Sequence, residues 1–387
     1  MKPLCDTVLQ LPGSGIRRFF DLVAEMSDVI SLGVGEPDYV TPRHMRDVAI
    51  SALQNDATKA TSYTSNFGLL ELRQAIVNKH IERHGTRWDP RREVLVTVGV
   101  SEALDTAFRA ILNPGDEVLI PEPCYVSYLP CVRFAGGVAT LVPTTAADGF
   151  RVRPEEIERR ITPRTKAILL AYPTNPTGAT MDRAGLQAIV DLACKHDLYI
   201  ISDEIYERLC YDAPPVSVPA LPGAYERTIL LNGFSKSHAM TGWRVGYACA
   251  SAPIIESMMK IHQYSMLCAP HVSQLVALQA LQHAEADVDA MVLDYDRRRR
   301  LFVKGLNDLG LDCPLPGGAF YAFPSIKNTG LSDEVFTERL LREEKVLVVP
   351  GSVFGASGVG HVRCCYATAT HKLEEALNRI GRFLKKL

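Results

Sequence analysis

The chain has 387 residues, of which 47% are hydrophobic and 22% are charged, and its 42 basic and 44 acidic side chains leave a formal net charge of −2. This length exceeds the roughly 250–300 residues at which a single hydrophobic core stops growing, so we expect two domains. The balanced charge, with no basic face interleaved with aromatic residues, gives no indication of nucleic acid or another polyanion as a partner. The one basic run, residues 297–300, has acidic neighbours and is interpreted as a solvated helix face.

The ten cysteines are scattered from Cys5 to Cys365 and form neither a Cys-x-x-Cys pair nor a zinc-ligand pattern with histidine. We therefore expect reduced thiols, no metal site and a cytoplasmic protein. The N-terminus opens no signal-peptide apolar region, and no uninterrupted apolar run reaches the length of a membrane span. We accordingly expect no membrane association.

In chain order, the predicted elements begin with an arm to about residue 27 that leads into a short helix, followed by a strand-like segment at residues 29–35. From about residue 70 to 250, short apolar runs alternate with helical periodicity. Short β-rich runs separated by helices predict an α/β fold, in which helices cover both faces of a mostly parallel sheet in three layers, α/β/α. Strands are predicted at residues 93–99, 116–121, 166–172, 198–203, 228–233 and 245–250.

The remainder of the chain differs in pattern. After residue 253 it is helical nearly to residue 310, with a break at residues 268–270, and the tail then mixes short strands with helices. This pattern predicts a smaller α+β domain built from the tail and joined by the N-terminal arm. The predicted division is an arm and part of the small domain at 1–44, a large domain at 45–285 and a small C-terminal domain at 286–387.

Polar residues follow several of the predicted strands, and in open α/β sheets ligands bind beyond the carboxyl ends of the strands. The strand ending at Gly99 leads into Val100 and Ser101 at a helix start, where free N–H groups form a natural phosphate site. An ordinary helix capped by Ser101 is the alternative. Another strand ends in Asp203, whose carboxylate is suited either to keep a pyridine nitrogen protonated or to a structural hydrogen bond.

A lysine among small and apolar residues follows the strand at residues 228–233. Desolvation and a neighbouring cation lower the pKa of an amine, so Lys236 is a candidate for Schiff-base chemistry. Ser235 and Arg244 add a hydroxyl and a guanidinium suited to a phosphate monoester. Neither a Walker-type loop nor a Gly-x-Gly-x-x-Gly turn opens a helix here, which argues against a nucleotide and against a nicotinamide dehydrogenase.

Three motifs, in this order, carry a family resemblance: Asn-Pro-Thr-Gly at residues 175–178, Ser-Asp-Glu-Ile-Tyr at 202–206 and Gly-Phe-Ser-Lys-Ser-His-Ala-Met-Thr-Gly-Trp-Arg-Val-Gly-Tyr at 233–247. Together they resemble the class I aminotransferases of the fold-type I pyridoxal-phosphate superfamily. The likeness extends over nearly the whole chain, from residues 15–20 to 361–367. It is greatest to a subgroup of aspartate, aromatic and N-acetyl-diaminopimelate aminotransferases.

The resemblance implies pyridoxal 5′-phosphate as cofactor, with Lys236 holding it as a Schiff base and later moving the proton between the substrate Cα and the cofactor. Asp203 would pair with the pyridine nitrogen, and Tyr206 and Asn175 would bond the ring oxygen. The other implied cofactor contacts are a ring stack from Tyr125, apolar packing from Ile205 and a phosphate site made of Gly99, Val100, Ser101, Ser235 and Arg244.

Further roles rest on the resemblance alone. Tyr63 would reach the phosphate of the partner subunit, which implies a homodimer with shared active sites. Arg363 would bind the substrate α-carboxylate, assisted by Asn175 and the Gly35 backbone.

The implied reaction moves the amino group of an L-amino acid, acidic or broad in range, to a 2-oxo acid such as 2-oxoglutarate in a ping-pong cycle. In one branch of the aspartate enzymes a lysine stands where this chain has Ser101, which puts that mode of acidic recognition in doubt. The arm at residues 14–16 and the segment at 318–321 are expected to shape specificity.

The alternatives on the same scaffold are a carbon–sulfur lyase, a decarboxylase, and an aromatic or N-acetyl-diaminopimelate aminotransferase. Arg363 favours transamination, because a clamped carboxylate is poorly placed to leave as carbon dioxide. A ligand-sensing module fused to a DNA-binding regulator is the alternative of another class, disfavoured by the retained Lys236.

Overall fold

The computed structural model describes residues 2–11, 13, 15 and 26–387. The short helix predicted for the N-terminal arm, and most of the specificity segment expected around residues 14–16, lie outside these residues. The described helices are α1 Asp6–Leu9, α2 Arg43–Gln54, α3 Leu70–His84, α4 Gly99–Ile111, α5 Tyr128–Phe134, α6 Pro154–Glu158, α7 Arg183–Lys195, α8 Ala252–Ser265, α9 His271–His283, α10 Glu285–Asp308, α11 Asp333–Glu344 and α12 Thr370–Leu384. The described strands are β1 Ile30–Ser31, β2 Val94–Thr97, β3 Glu117–Glu122, β4 Val138–Pro143, β5 Thr165–Ala171, β6 Tyr199–Asp203, β7 Thr228–Gly233, β8 Gly246–Cys249, β9 Tyr321–Ala322, β10 Val346–Leu347, β11 Val349–Pro350 and β12 Val362–Cys365.

The large sheet has seven strands in the order β2-β8-β7-β6-β5-β3-β4. All neighbouring pairs are parallel except those of β8, which is antiparallel to both β2 and β7. The α/β fold with a mostly parallel sheet is therefore confirmed. Strand β4 was not among the predicted strands, because this edge strand is partly exposed and mixes threonine with apolar residues, so it has no buried apolar run.

Helices pack on both faces of the sheet, because successive apolar side chains of its strands point to opposite faces and both sets are buried. Ile168 and Ile200 pack in one core with residues of α7, whereas Leu169 and Ile201 pack in another with residues of α4 and α8. Successive side chains of a strand point to opposite faces, so strands that are buried on both sides become continuous apolar runs. This burial is what made β5, β6 and β7 recognisable in the sequence.

The tail forms a second, smaller assembly of strands and helices. Strands β11, β12 and β9 form an antiparallel sheet in that order, and β1 pairs in parallel with β10. The apolar run at 346–350 is divided between these two sheets. A common core joins α10, α11 and α12, with Phe302, Phe336 and Phe383 among its fully buried side chains. The exact boundaries 1–44, 45–285 and 286–387 remain a prediction.

The described residues contain neither a candidate membrane span nor a candidate metal cluster. None of the helices in the described ranges is long and apolar enough to cross a membrane. Over the same residues, no group of three or more His, Cys, Asp or Glu side chains could hold a metal ion.

Candidate active site

A cavity of about 430 Å³ lies at the carboxyl ends of β6 and β7, where Asp203 ends one strand and Lys236 follows the other. The segment after β1, the end of β9 and Arg363 of β12 close it from the side of the tail. It thus occupies the position in which open α/β sheets bind ligands. The predicted site residues that line it are Gly35, Val100, Ser101, Tyr125, Asn175, Asp203, Ile205, Tyr206, Ser235, Lys236, Arg244 and Arg363.

A larger cavity of about 600 Å³ lies between residues 149–151, 172–186, 210–216 and 314–323. Its charged lining residues are all exposed: Arg151, Asp182, Arg183 and Asp212. The smaller cavity is the candidate active site, because it brings a buried amine, a buried carboxylate and a buried guanidinium together, and perturbed charges of this kind cluster at functional sites.

Lys236 presents an amine that is unusual for a lysine. Its Nζ donates a hydrogen bond to the carbonyl oxygen of Gly35, at 2.7 Å. Burial, aided by the positive charges of Arg363 and Arg244, lowers its pKa to about 8. About a tenth of the amine is therefore neutral and nucleophilic at pH 7, far more than for a lysine with the ordinary pKa of 10.5.

Asp203 is a buried carboxylate held from two sides. The hydroxyl of Tyr128 donates to Oδ2 at 2.9 Å, and the N–H of Ile205 donates to Oδ1 at 3.2 Å. Burial raises the pKa of Asp203, while these two bonds and the charge of Lys236 act in the opposite direction. A cationic ring nitrogen next to this carboxyl would stabilise the ionised form further.

Tyr206 and Tyr321 join the two sides of the cavity. Their hydroxyl oxygens are 2.7 Å apart and share a hydrogen bond, and both side chains are buried. Tyr321 also explains the glycine at position 35, because a Cβ there would lie 2.4 Å from the Tyr321 hydroxyl oxygen. The close approach places the Gly35 carbonyl where Lys236 can reach it.

Arg363 is fixed in position before any substrate is considered. Its Nη1 donates to Asn175 Oδ1 at 2.9 Å and its Nη2 donates to the Gly33 carbonyl at 2.6 Å. The guanidinium carbon lies 4.6 Å from the centre of the Tyr321 ring and 4.9 Å from that of Phe354. Its Nε is buried without a hydrogen-bond partner. A buried unpartnered donor in a cavity wall is suited to an anionic ligand group.

The start of α4 forms an anion site together with Arg244. Gly99, the first helical residue, has a φ of +75°, and a Cβ there would lie 2.6 Å from Arg244 Nη2. On the other side, a Cβ at Gly246 would lie 2.7 Å from the Val100 nitrogen. Both glycines therefore allow the helix N-terminus, with its free N–H groups and positive dipole end, to approach the strand ends and the guanidinium.

Two predicted residues stand apart from the cavity lining. Gly99 lies behind the lining, with its neighbours Val100 and Ser101 on the surface of the cavity. Tyr63 does not line it and is 82% exposed. The geometry of a single chain therefore gives Tyr63 no part in its own site, and its role for a partner subunit stays a prediction.

Comparison with known proteins places the whole chain in one family. The family described as aminotransferase class I and II matches residues 27–380. The chain is 46% identical to the aspartate aminotransferase of Pyrococcus abyssi, over 96% of this chain and 96% of that protein. It is 43% identical to aromatic-amino-acid aminotransferase 2 of Thermococcus litoralis, over 99% and 98% of the two chains.

A solved structure gives the same result. The aspartate aminotransferase of Thermus thermophilus, solved with maleate, superposes with a TM-score of 0.93 at 40% identity, covering 99% of this chain and 100% of that one. The chain is a class I aminotransferase. Fold type I and the transferase activity expected from the motifs are thereby confirmed, and amino acids and 2-oxo acids are the substrates of this family.

Class I aminotransferases use pyridoxal phosphate, and the residues of this aminotransferase fit that group. The cradle between Gly99 and Arg244 has the free N–H groups and the cation that a phosphate monoester needs. The amine of Lys236 and the carboxylate of Asp203 stand in the same cavity, one suited to an aldehyde and the other to a ring nitrogen.

Two residues that shape the active site of the aminotransferase were not predicted from its sequence. Tyr128, which bonds Asp203, lies in the same Pro-rich segment as Tyr125, but only the first tyrosine was singled out. Gly246 lies two residues after Arg244, where a glycine in a buried strand signals a close approach of backbone. Tyr321 had been named only as part of a specificity segment, because nothing in the sequence shows that it meets Tyr206.

Proposed function

We propose that this aminotransferase binds pyridoxal 5′-phosphate at Lys236 and moves the amino group of an L-amino acid, acidic or broad in range, to a 2-oxo acid, with 2-oxoglutarate as the preferred acceptor. The observation that carries the proposal is the buried Lys236 amine, whose pKa is lowered to about 8, in one cavity with Asp203 and Arg363.

The cofactor would be held at both ends. Arg244, Ser235 and the N-terminus of α4 would hold its phosphate, and Asp203 would face its ring nitrogen. When bound, pyridoxal phosphate supplies an aldehyde that reacts with amines and a ring that withdraws the electron pair left as the substrate Cα loses its proton. Tyr125 and Ile205 line the same cavity and are suited to the two faces of a flat ring.

Lys236 is the base that the reaction needs once its amine is free. Its lowered pKa allows the amine to accept a proton from a carbon acid and to return it close to neutral pH. The bond to the Gly35 carbonyl fixes the position of Nζ in the cavity wall. Lys236 is therefore proposed to take the Cα proton of the donor and to deliver it to the reacting carbon of the cofactor.

Arg363 is proposed to bind the α-carboxylate of the substrate. Its stacking on Tyr321 and its bonds to Asn175 and Gly33 leave the guanidinium little freedom, so a bound carboxylate would be fixed in orientation. A fixed carboxylate favours loss of the Cα proton over loss of carbon dioxide. For this reason we propose transamination rather than decarboxylation.

The choice of donor follows from the cations available. Among the described residues the cationic side chains of the cavity are Lys236, Arg244 and Arg363, and each already has a proposed task. Position 101 is a serine, so a second carboxylate would meet hydroxyl groups in this part of the site. No cation of the cavity is left for a second carboxylate, so the cavity favours a broad donor range over a strictly acidic one. Acidic donors are included in the proposal because the names of the Pyrococcus and Thermococcus relatives cover both acidic and aromatic substrates.

We also propose a homodimer in the cytoplasm. Gln274 of α9 donates to Thr64 Oγ1 at 3.0 Å, so the loop that carries the exposed Tyr63 lies against the start of α9. Tyr264, in the segment shortly before α9, is 88% exposed. Both aromatic side chains would gain from burial in a subunit contact, and ten free cysteines suit a reducing compartment.

The proposal is tested first by absorbance spectra of the purified protein and of Lys236→Ala. The wild type is expected to show a visible cofactor band that L-amino acids abolish and 2-oxo acids restore, and Lys236→Ala is expected to lose this reversible change. A band that persists while ammonia or carbon dioxide is released would show a lyase or a decarboxylase. No band, even with added cofactor, would contradict the proposal.

The shared site is tested by mixing two inactive variants. Light scattering should give twice the 42.6 kDa mass of the chain. Lys236→Ala and Tyr63→Ala, each impaired alone, should regain activity when hybrid dimers form, because one site of each hybrid has both side chains intact. An inactive hybrid would contradict the role of Tyr63.

A further inference from the structure

A buried pair of a carboxylate and an imidazole lies behind the first turn of α4. Glu102 of α4 and His262 of α8 bond through Oε1 and Nδ1 at 2.5 Å, and their side chains are 5% and 0% exposed. His262 Nε2 is buried without a partner. Neither residue belongs to the lining of the candidate active site.

Burial of such a pair is unfavourable unless it makes other bonds. Taking a carboxylate out of water costs several kcal/mol, and apolar residues of similar volume would join two helices equally well. The apolar neighbours Ala103, Ile255 and Met258 already pack α4 against α8. Packing between the two helices therefore does not explain why a carboxylate and an imidazole are buried here.

The second carboxylate oxygen shows what the pair holds. Glu102 Oε2 accepts the main-chain N–H of Val98, at 2.5 Å. On the other side of the same turn, Thr97 Oγ1 donates to the carbonyl oxygen of Gly99 at 3.0 Å. The residues just before the helix are thus tied down by two side chains from outside the cavity.

This anchoring decides where the free N–H groups point. The first N–H groups of an α-helix have no acceptor within the helix. The N–H of Val98 is used by the Glu102 side chain, which fixes the backbone just before the helix. The first turn of α4, residues 99–101, is thereby held with its N-terminal end toward Arg244. A small rotation of this turn would turn the N–H groups away from a phosphate.

We propose that Glu102 and His262 are positioning residues that set the affinity of the site for the phosphate group of its cofactor. Glu102 fixes the turn before α4 through the Val98 N–H, and His262 fixes the rotamer of Glu102. The inference rests on the proposed function, because it assumes that the turn binds the phosphate of pyridoxal phosphate.

The test compares pyridoxal 5′-phosphate with pyridoxal, which lacks the phosphate. Both ligands are expected to react with Lys236, so the dissociation constant of pyridoxal divided by that of pyridoxal 5′-phosphate reports on the phosphate site alone. Both constants are measured by titrating the full-length chain and following the visible band. Glu102→Ala is expected to lower this ratio at least about tenfold, as the loss of a hydrogen bond to a charged group would. Glu102→Gln, which can still accept the Val98 N–H, should stay within about threefold of wild type.

His262 offers a second pair of variants in case Glu102→Ala fails to fold. His262→Asn keeps a donor close to the position of Nδ1 and should preserve the ratio, whereas His262→Leu should lower it.

Glu117→Ala is the matched control. Glu117 is buried at the start of β3, beside the edge strand β4, where Thr162 Oγ1 and Arg164 Nη2 donate hydrogen bonds to it at 2.6 and 2.7 Å. This variant should lose stability without a change in the ratio.

Equal losses of affinity for both ligands in Glu102→Ala and His262→Leu, or no loss for either, would overturn the inference and leave the pair a purely structural contact. A wild type that binds neither ligand would instead overturn the proposed function. The two failures are therefore distinguishable.

Discussion

The two sides of the candidate active site are built differently. The side at the strand ends carries Lys236 and Asp203, whose protonation depends on burial and on neighbouring charges. The side formed by the tail carries Arg363 and Tyr321, which are held in place by hydrogen bonds and ring contacts. One side is suited to move protons and electrons, and the other to hold a substrate still.

This difference matters because catalysis gains only from interactions that strengthen in the transition state. Substitutions at the strand ends should therefore lower kcat, whereas substitutions on the tail side should act mainly on substrate binding and orientation. Each prediction below tests whether a residue falls on the side to which the structure assigns it.

The largest effect is expected at Asp203. Asp203→Asn keeps the shape and the bond from Tyr128 but removes the negative charge, and with it the stabilisation of a protonated ring nitrogen. We expect kcat to fall by about 10²–10³-fold, the range found for the loss of one preorganised electrostatic group. Steady-state kinetics with saturating donor measure the loss, and Tyr128→Phe, which leaves the charge, should lose much less. A kcat within a few-fold of wild type in Asp203→Asn would show that the charge is not needed.

A smaller effect, of a different kind, is expected at Arg363. Arg363→Lys keeps the charge but loses the planar fork and the stacking on Tyr321 and Phe354. We expect kcat/KM to fall about 10–100-fold, as for one or two charge-assisted hydrogen bonds, mainly through a higher KM. A loss confined to kcat would contradict the division between the two sides.

The strand-end side was also the side that could be predicted from the residues alone. Buried strands leave continuous apolar runs in the sequence, and the polar residue at the end of each run marks the ligand edge. Asp203 and Lys236 were found in this way, and the structure places both in the cavity.

The tail side could not be predicted from residues alone, because its members come from strands of two to four residues that meet across more than 300 positions. The bond from Arg363 to the Gly33 carbonyl spans such a distance. The run at 346–350 illustrates the same limit, because a short apolar run does not show which of two sheets each residue joins. Arg363 and Gly35 entered the predicted site only through the family resemblance.

The segment that follows Asp203 should also give the protein a pH-dependent stability. Glu204 faces away from the cavity, and burial, together with the charge of Glu207, raises its pKa to about 7. Burial alone would raise the pKa of Glu207. The hydrogen bond and the positive charge of His84 outweigh burial and lower this pKa to about 2. For His84, burial alone would lower the pKa, but the hydrogen bond and the negative charge of Glu207 are stronger, so the pKa of His84 is raised.

These pKa shifts change the free energy of unfolding in different pH ranges. A carboxyl whose folded pKa exceeds its unfolded value of 4.5 loses stability as pH rises from 4.5 through about 7, and the raised pKa of His84 acts in the same direction above 6.5. The lowered pKa of Glu207 gives stability that is lost only as pH falls from 4.5 toward 2. Buried His80 and His238, whose pKa values burial lowers to about 4 and about 3, act in the opposite direction up to pH 6.5. The contribution of Glu204 is therefore measured as a difference: the change in the free energy of unfolding from pH 5 to pH 8 should be on the order of 2 kcal/mol more positive in Glu204→Gln than in the wild type. Urea unfolding at both pH values measures it, and an unchanged slope in Glu204→Gln would refute the assignment.

The smallest effect is expected where the two sides touch. Tyr321→Phe keeps the ring against Arg363 but removes the hydroxyl shared with Tyr206, so the substrate side stays rigid while its link to the strand-end side is lost. A single neutral hydrogen bond contributes about 0.5–1.5 kcal/mol, so a loss of about 3–10-fold in kcat/KM is expected. If Tyr206 needs this bond to hold its hydroxyl in the site, Tyr206→Phe and the double variant should show the same loss as Tyr321→Phe, because the two hydroxyls act as one unit. Additive losses would instead mean that each tyrosine serves its own side of the cavity.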